Sequence, residues 1–170
     1  MFISLIASTR NASIAVRTLH TILNMNIICI KSDNRIEINF VTDNQVEKNR
    51  ILLKKMKSSD RVLMLDYGIS LDIESIKKVF SKFEHGYSVQ IFPCVSENID
   101  WEMFKTKIKN NSTEPTHQMG MNFDTEVSRK ISDDNYVVKK TAPRAWVAES
   151  KQLLRSIKDK KGETIKLPNT

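Results

Sequence analysis

The chain has 170 residues, of which 40% are hydrophobic and 28% charged, and a formal net charge of +7. That length fits one domain able to bury about 70% of its unfolded surface. Four Gly and four Pro exclude collagen-like and long low-complexity architectures. Cys29 and Cys94 stand inside apolar runs with no CxxC, and His20, His85 and His117 are scattered. Buried free thiols in a reducing compartment are expected, and a zinc site is not.

The positive charge is spread over Lys48–Lys57, Lys77–Lys82, Lys105–Lys109, Arg129–Lys140 and Lys151–Lys166. Most of it falls on the polar faces of predicted helices, where its role is solubility. Aromatic residues make up 7% of the chain and do not alternate with the basic ones, so a nucleic-acid partner is not expected. Met1–Ala7 is apolar but too short for a signal sequence, and no stretch approaches a membrane span. A soluble, cytoplasmic protein is expected.

In chain order, Phe2–Ala7 reads as a first strand and Ser8–Asn11 as a polar loop. Ser13 is a candidate N-cap for a helix with Ile14, Val16, Leu19, Ile22 and Leu23 on its apolar face. Ile27–Ile30 either ends that helix or forms a short strand. Arg35–Val41 alternates and is β-branched, as a second strand does, and Thr42-Asp43-Asn44 follows it. Gln45–Lys57 is predicted helical, with Val46, Ile51, Leu52 and Met56 packed and Glu47, Lys48, Lys54 and Lys55 facing water. Val62–Leu65 is a continuous apolar run, the mark of a strand buried on both faces; it stops at Asp66. Asp72 then caps a helix from about Glu74 to Phe83, broken at His85-Gly86, and Tyr87–Phe92 is a fourth strand stopped by Pro93.

After Pro93 the pattern is less regular. Asp100–Ile108 reads as a short amphipathic helix, Asn110–Asn122 as a long loop, and Phe123–Val127 as a short strand or the start of a helix through Ile131. Tyr136–Lys139 and Ala145–Ala148 are short strands around Pro143, and Ser150–Ile157 is a closing helix. The expected fold is a single α/β domain over residues 1–157, with a mainly parallel sheet flanked by helices and mixed in its second half. Residues 158–170 form a polar C-terminal tail.

Three loops would converge at the carboxyl edge of such a sheet: Arg10-Asn11, Asp43-Asn44 and Asp66-Tyr67. Ligands of open α/β sheets bind at that edge. Asp43 or Asn44 would meet base or ribose hydroxyls, Arg10 phosphate or base edges, and Asp66 a hard divalent cation. Asp and Asn also end strands simply because they make good turns. No GxGxxG and no GxxxxGK[ST] is present, so neither dinucleotide nor P-loop chemistry is indicated.

Ser59–Ile76, centred on Leu63-Met64-Leu65-Asp66-Tyr67-Gly68, resembles the central signature of GT-A fold glycosyltransferases, a buried strand ending in Asp-x-Asp ahead of a helix. Leu5–Ser13, Ile38–Asn44 and Tyr87–Val95 are similar in order to that family's neighbouring strands, and Ala145–Leu154 to a later strand and helix behind the acceptor site. The resemblance covers residues 2–95 and, loosely, 123–157. It implies a nucleotide-sugar donor, a glycan or protein hydroxyl acceptor, and Mn²⁺ or Mg²⁺ at Asp66. Short size and richness in Lys, Asn and Ile also resemble glycosyltransferase-like proteins of large DNA viruses, which implies host cytoplasm or a virion.

The family's second Asp falls on Gly68, which has no carboxylate. Three readings follow: Asp66 holds metal with a distant ligand, His117 or Asp124; the transfer works without metal; or the domain is inactive and serves as a structural or interaction protein with partners in an assembly. Asp124 or Glu126 is the candidate base for the acceptor hydroxyl, with Glu97, Asp100 and Glu102 competing. At an ordinary helix start the same residues would only favour the dipole. Trp101 and Trp146 are expected in the core, although sugar stacking is the other use of such rings.

Overall fold

A computed structural model describes residues 1–83, 86–132 and 135–157, apart from the side chains of 96 and 97. His85, Glu97's side chain and the 158–170 tail therefore lie outside the described residues. The chain divides into two compact units, Met1–Phe92 with the chain from Arg144 onward, and Pro93–Pro143.

The first unit begins with β1 (Phe2–Thr9), α1 (Val16–Lys31), β2 (Arg35–Thr42), α2 (Gln45–Met56), β3 (Arg61–Leu65) and α3 (Ile73–Phe80). After the intervening second unit come β9 (Ala145–Glu149) and α5 (Ser150–Ser156), and β4 (Val89–Ile91) precedes it. The sheet order is β2-β1-β3-β9-β4. β1 pairs parallel with β2 and β3, whereas β9 runs antiparallel between β3 and β4. The expected α/β class with a mixed second half is what the chain forms. The last strand inserts between the third and fourth, because the fully buried Val62–Leu65 run needs a partner on both sides.

Each face of the sheet has its own cover. Ile6, Val41, Val62, Met64 and Ala148 pack with Leu52 and Met56 of α2, and Trp146, Leu153 and Leu154 lie against that cluster. Ile3, Leu5, Leu63, Leu65 and Val147 are on the other face by register. There α3 buries Ile76 and Val79. α1 buries Thr18, Thr21, Ile22, Met25 and Cys29 instead of the expected Val16, Leu19 and Leu23. Two of these threonines tie the helix to the chain after β3. Thr18 Oγ1 donates to the Ile69 carbonyl at 2.8 Å, and the Leu71 N–H donates to Thr21 Oγ1 at 2.9 Å. Burying hydroxyls toward backbone satisfies both, and the aliphatic stripe is left outward.

Ser13 is not the cap of α1. Its N–H and hydroxyl both donate to the Arg10 carbonyl, at 2.9 and 2.8 Å, and Arg10 N–H donates back to the Ser13 carbonyl at 3.1 Å. Asn11 (φ 50°) and Ala12 (φ 56°) are both left-handed, the backbone of a two-residue type I′ turn. An Ala in that region carries about 1 kcal/mol or more of strain, so the Arg10 loop is held in an unfavourable but tight conformation.

Arg61 opens β3 with its side chain buried. Its Nη1 donates to the Ser81 carbonyl at 2.7 Å and also to that of Val79, its guanidinium lies 4.3 Å from the centre of the Phe83 ring, and Glu149 is 3.6 Å from Nη2. Burial lowers its pKa and Glu149 opposes that.

The second unit holds β5 (Val95–Ile99), α4 (Trp101–Lys109), β6 (Met121–Phe123), β7 (Thr125–Ser132) and β8 (Asn135–Thr141). β5 pairs with β6 and β7 with β8, all antiparallel. The expected long loop holds a 3-10 turn, Thr116–Gln118, and its last two residues, Met121 and Asn122, belong to β6. The segment after Phe123 is a strand, not a helix start. Thr125, Val127, Tyr136 and Val138 are β-branched or aromatic and favour a hairpin over a helix.

We expect Arg61→Met to cost about 2 kcal/mol or more, because the buried Val79 carbonyl and the partly buried Ser81 carbonyl lose their donor. A lowered unfolding midpoint in a thermal or urea melt checks this; an unchanged midpoint would show that the buried guanidinium contributes nothing.

Candidate functional site

The parallel part of the sheet has a switch point. The chain leaves β1 for β2 on one side, then returns to place β3 on the other, with α1 and α2 on opposite faces. In open α/β sheets the crevice outside the strand ends at such a point is where ligands bind. Ser8 and Asp66 meet across this gap, with Ser8 Oγ 3.3 Å from Asp66 Oδ1.

The side chain that organises the site is Lys48, expected in solvent and instead 9% exposed. Its Nζ lies 2.7 Å from Asp43 Oδ1 and 2.7 Å from Asp66 Oδ1. Asn44 sets this up by capping α2: its side chain accepts from the Val46 and Glu47 N–H groups at 2.9 and 3.3 Å. The cap fixes the first turn, which aims Lys48 back over the ends of β2 and β3. Arg10 Nε donates to Asp43 Oδ2 at 2.7 Å, and the Arg10 guanidinium stands 4.9 Å from the centre of the Tyr67 ring. Arg10 remains 60% exposed on its side chain.

Hydrogen bonding to Lys48 lowers the Asp43 pKa, against the effect of burial, and Arg10 adds to the lowering. Burial alone would lower the pKa of Lys48, but the Asp43 and Asp66 carboxylates together hold it above its ordinary value. Two carboxylates, one ammonium and one guanidinium make the cluster formally neutral.

That balance bears on a divalent cation. One oxygen of each carboxylate already faces the Lys48 ammonium, and among the described residues no group of three His, Cys, Asp or Glu side chains could hold a metal ion. As arranged, Asp43 and Asp66 do not fit Mn²⁺ or Mg²⁺ without displacing Lys48.

Gly68 also has a structural reason. Ile69 N–H donates to the Asp66 carbonyl at 3.2 Å and Gly68 has φ +79°, the signature of a type II turn, which requires a left-handed third residue. A Cβ at this position would meet nothing within 4 Å, so backbone conformation selects glycine here, not crowding.

The remaining sequence candidates lie in the second unit. Asp124 ties strands together: Oδ1 accepts from the Cys94 N–H and from Thr125 Oγ1, both at 2.9 Å, while its backbone bonds Cys94 and Ala142. Glu126 is exposed and pairs with Lys139 at 2.6 Å. Asp100 caps α4 through the Met103 N–H, and Glu102 pairs with Lys105. His117 sits in the 3-10 turn and lines an open apolar cleft of about 490 Å³ with Trp101, Phe104 and Met121. Trp101 is 60% exposed, contrary to its expected core position. Asn11 belongs to the type I′ turn, and Trp146 is the ring that joins the core.

The first unit is thus an α/β domain with a charge-neutral Arg–Asp–Lys–Asp cluster at its switch point. Among described residues no helix is long and apolar enough to cross a membrane. No protein-family model matches the chain and no curated protein matches it. It is similar to the crystal structure of 4-diphosphocytidyl-2C-methyl-D-erythritol synthase from Anaerococcus prevotii. The two are 16% identical over 92% of this chain and 74% of that one, with a TM-score of 0.40. A likeness that distant carries no functional argument.

Two variants test the cluster. Lys48→Met leaves two facing carboxylates without their shared cation and is expected to cost about 3 kcal/mol. Adding Asp66→Asn should restore part of the loss. Asp43, with its pKa lowered, contributes stability above its unfolded value of about 3.9 and loses it as pH falls through the folded value. Lys48, with its pKa raised, contributes fully below about 10.4 and loses its share as pH rises through the folded value. The stability gap between wild type and Lys48→Met should therefore be flat from about pH 5 to 9 and shrink below about pH 4. Melting curves over that range check it; a gap that grows in acid contradicts the ion-pair account. Separately, Gly68→Asp should cost about 1 kcal/mol despite the open space around it.

Proposed function

We propose that the chain binds a nucleoside diphosphate sugar at the carboxyl edge of β1, β2 and β3 and transfers the sugar to a hydroxyl acceptor. The observation that carries this is the convergence of Arg10, Asp43 and Asp66, from three separate strand ends, into one hydrogen-bonded cluster at the switch point. Turn chemistry alone explains an Asp at each strand end but not a lysine buried to join two of them. The family resemblance of Ser59–Ile76 gives the same location its sugar-nucleotide character.

In this reading Arg10 and Tyr67 form the accessible part of the donor site, with Arg10 toward the diphosphate and Asp43 or Asn44 toward ribose or base. Lys48 makes the cluster self-sufficient in charge, so the donor binds without a divalent ion. The acceptor oxygen bonds to the anomeric carbon as the bond from that carbon to the diphosphate breaks. The hydroxyl proton goes to a carboxylate base.

A second reading has a specific observation behind it. A glycine in a left-handed turn, not a carboxylate, occupies position 68, and α1 presents an aliphatic stripe outward. Both suit a non-catalytic interaction domain.

Thermal unfolding with UDP- and GDP-sugars separates the two. A donor at 100 times its Kd stabilises by about 2.7 kcal/mol. The expected result is a raised midpoint with one nucleotide class, equal in Mn²⁺ and in EDTA, and reduced in Arg10→Ala. A shift seen only with Mn²⁺ would return the metal to the site. No shift with any nucleotide sugar removes the transferase reading and leaves the interaction domain.

A further inference from the structure

We infer that β2 is the joint of a symmetric dimer in which two copies of this chain continue one sheet across a two-fold axis. The inference rests on backbone valence and side-chain pattern, independently of the donor site. β2 ends the sheet order, and among the described residues no strand pairs with its outer side. Arg35 N–H donates to the Met1 carbonyl and Asp43 N–H to the Thr9 carbonyl, each at 2.9 Å. Odd-numbered residues of β2 therefore bond inward to β1, and Ile36, Ile38 and Phe40 direct their N–H and C=O groups outward.

An outer strand eight residues long is normally guarded by Pro, Lys, a bulge or a covering element. Arg35–Thr42 contains no Pro and no Lys, its two charges, Arg35 and Glu37, lie on the face of Val41 and α2, where Glu37 pairs with Lys55, and its register with β1 is unbroken. The opposite edge, β4, has only three residues. β2 is the long, unguarded edge of this sheet.

The side chains select a second copy over an unrelated strand. Two identical antiparallel strands with side chains on matching faces pair with an even residue sum. Centring the axis on Ile38 sets Ile38 against Ile38 and Ile36 against Phe40 of the other copy. Those are hydrogen-bonded pairs, and they form one apolar row on the face away from Val41 and α2. On the opposite face Glu37 meets Asn39 and Arg35 meets Val41, so no like charges are opposed. Phe40, 56% exposed in the single chain, finds cover in this arrangement.

Helix α1 packs on that same face, against β2 and α3. Its stripe of Val16 (81% exposed), Leu19, Leu23, Ile27 and Ile30 (75% exposed) runs its whole length at spacings of three and four. At about 100° per residue, Leu19, Leu23 and Ile30 lie on the flank away from Thr21, which with Thr18 meets the chain after β3. That is the flank toward the free edge. Two-fold pairing of β2 brings this flank beside its mate above the joint. The basic residues of α1, Arg17 and Lys31, are on the other flank. A strip about 25 Å long and about 20 Å wide corresponds to about 1,000 Å² over two copies, the lower bound of a specific interface.

Sedimentation or light scattering at about 100 μM chain, where a micromolar interface is saturated, should give twice the chain's mass. Ile38→Lys opposes two ammonium groups at the axis and should weaken association at least about tenfold, with the thermal midpoint of the diluted protein retained. A monomer at that concentration, or a dimer indifferent to Ile38→Lys, overturns the proposal. Should that variant not fold, Ile38→Cys gives the answer alone. Mild oxidation should link it into a disulfide dimer, while the exposed control Ile108→Cys remains unlinked. No linkage, or equal linkage of both, overturns it.

Discussion

The Lys48 ammonium, 2.7 Å from Asp43 and 2.7 Å from Asp66, is the interaction on which the carboxyl edge of the first unit depends. It fixes the first turn of α2 to the ends of β2 and β3, and Ser8 and Arg10 attach β1 to the same two carboxylates. Two partly buried carboxylates this close would repel and draw water or cations between them. A lysine supplied from the covering helix meets that need from within the chain. The edge can then keep two acidic strand ends together without an external ion.

The same arrangement explains the turn that follows. With Asp66 engaged by Lys48, the residues after it need only reverse the chain toward α3, and Gly68 at φ +79° does so. Thr18 and Thr21 of α1 take up the backbone of this reversal. Their use as inward-facing residues rotates α1 so that its aliphatic stripe points out. Site and exposed face are linked in this way: hydroxyls chosen to hold the loop after β3 leave Val16, Leu23 and Ile30 without cover in the single chain.

Much of this architecture was legible in residue patterns. The strand and helix order through Phe92, the Asp72 cap and the convergence of Arg10, Asp43 and Asp66 at one edge all follow from periodicity and strand-end chemistry. Lys48 was only partly legible. On a wheel of α2 it falls about 40° from Leu52, on the stripe that also holds Met56, but polar residues of amphipathic helices usually face water. The two acidic strand ends sharing an edge were the other signal. In the second unit Asp124 read as a base, a distant metal ligand or a helix start, and the strand that follows it, with the Cys94 and Thr125 bonds, removes the helix start. Trp101 was placed in the core by its type, but α4 has no buried residue to pack it against.

By itself, then, the sequence determined local matters: where strands stop, that Asp72 caps α3, and that the fold alternates strand and helix around a parallel core. Those depend on backbone propensity and on apolar periods a few residues long. Tertiary structure alone decided that the last strand enters between β3 and β4, that Lys48 turns inward, and that α1 buries threonines instead of leucines. Each of these is a choice among faces of near-equal local preference. Such choices are settled by which buried polar groups find partners, and partners such as Asp66 for Lys48 and Ile69 for Thr18 lie 18 and 51 residues away along the chain.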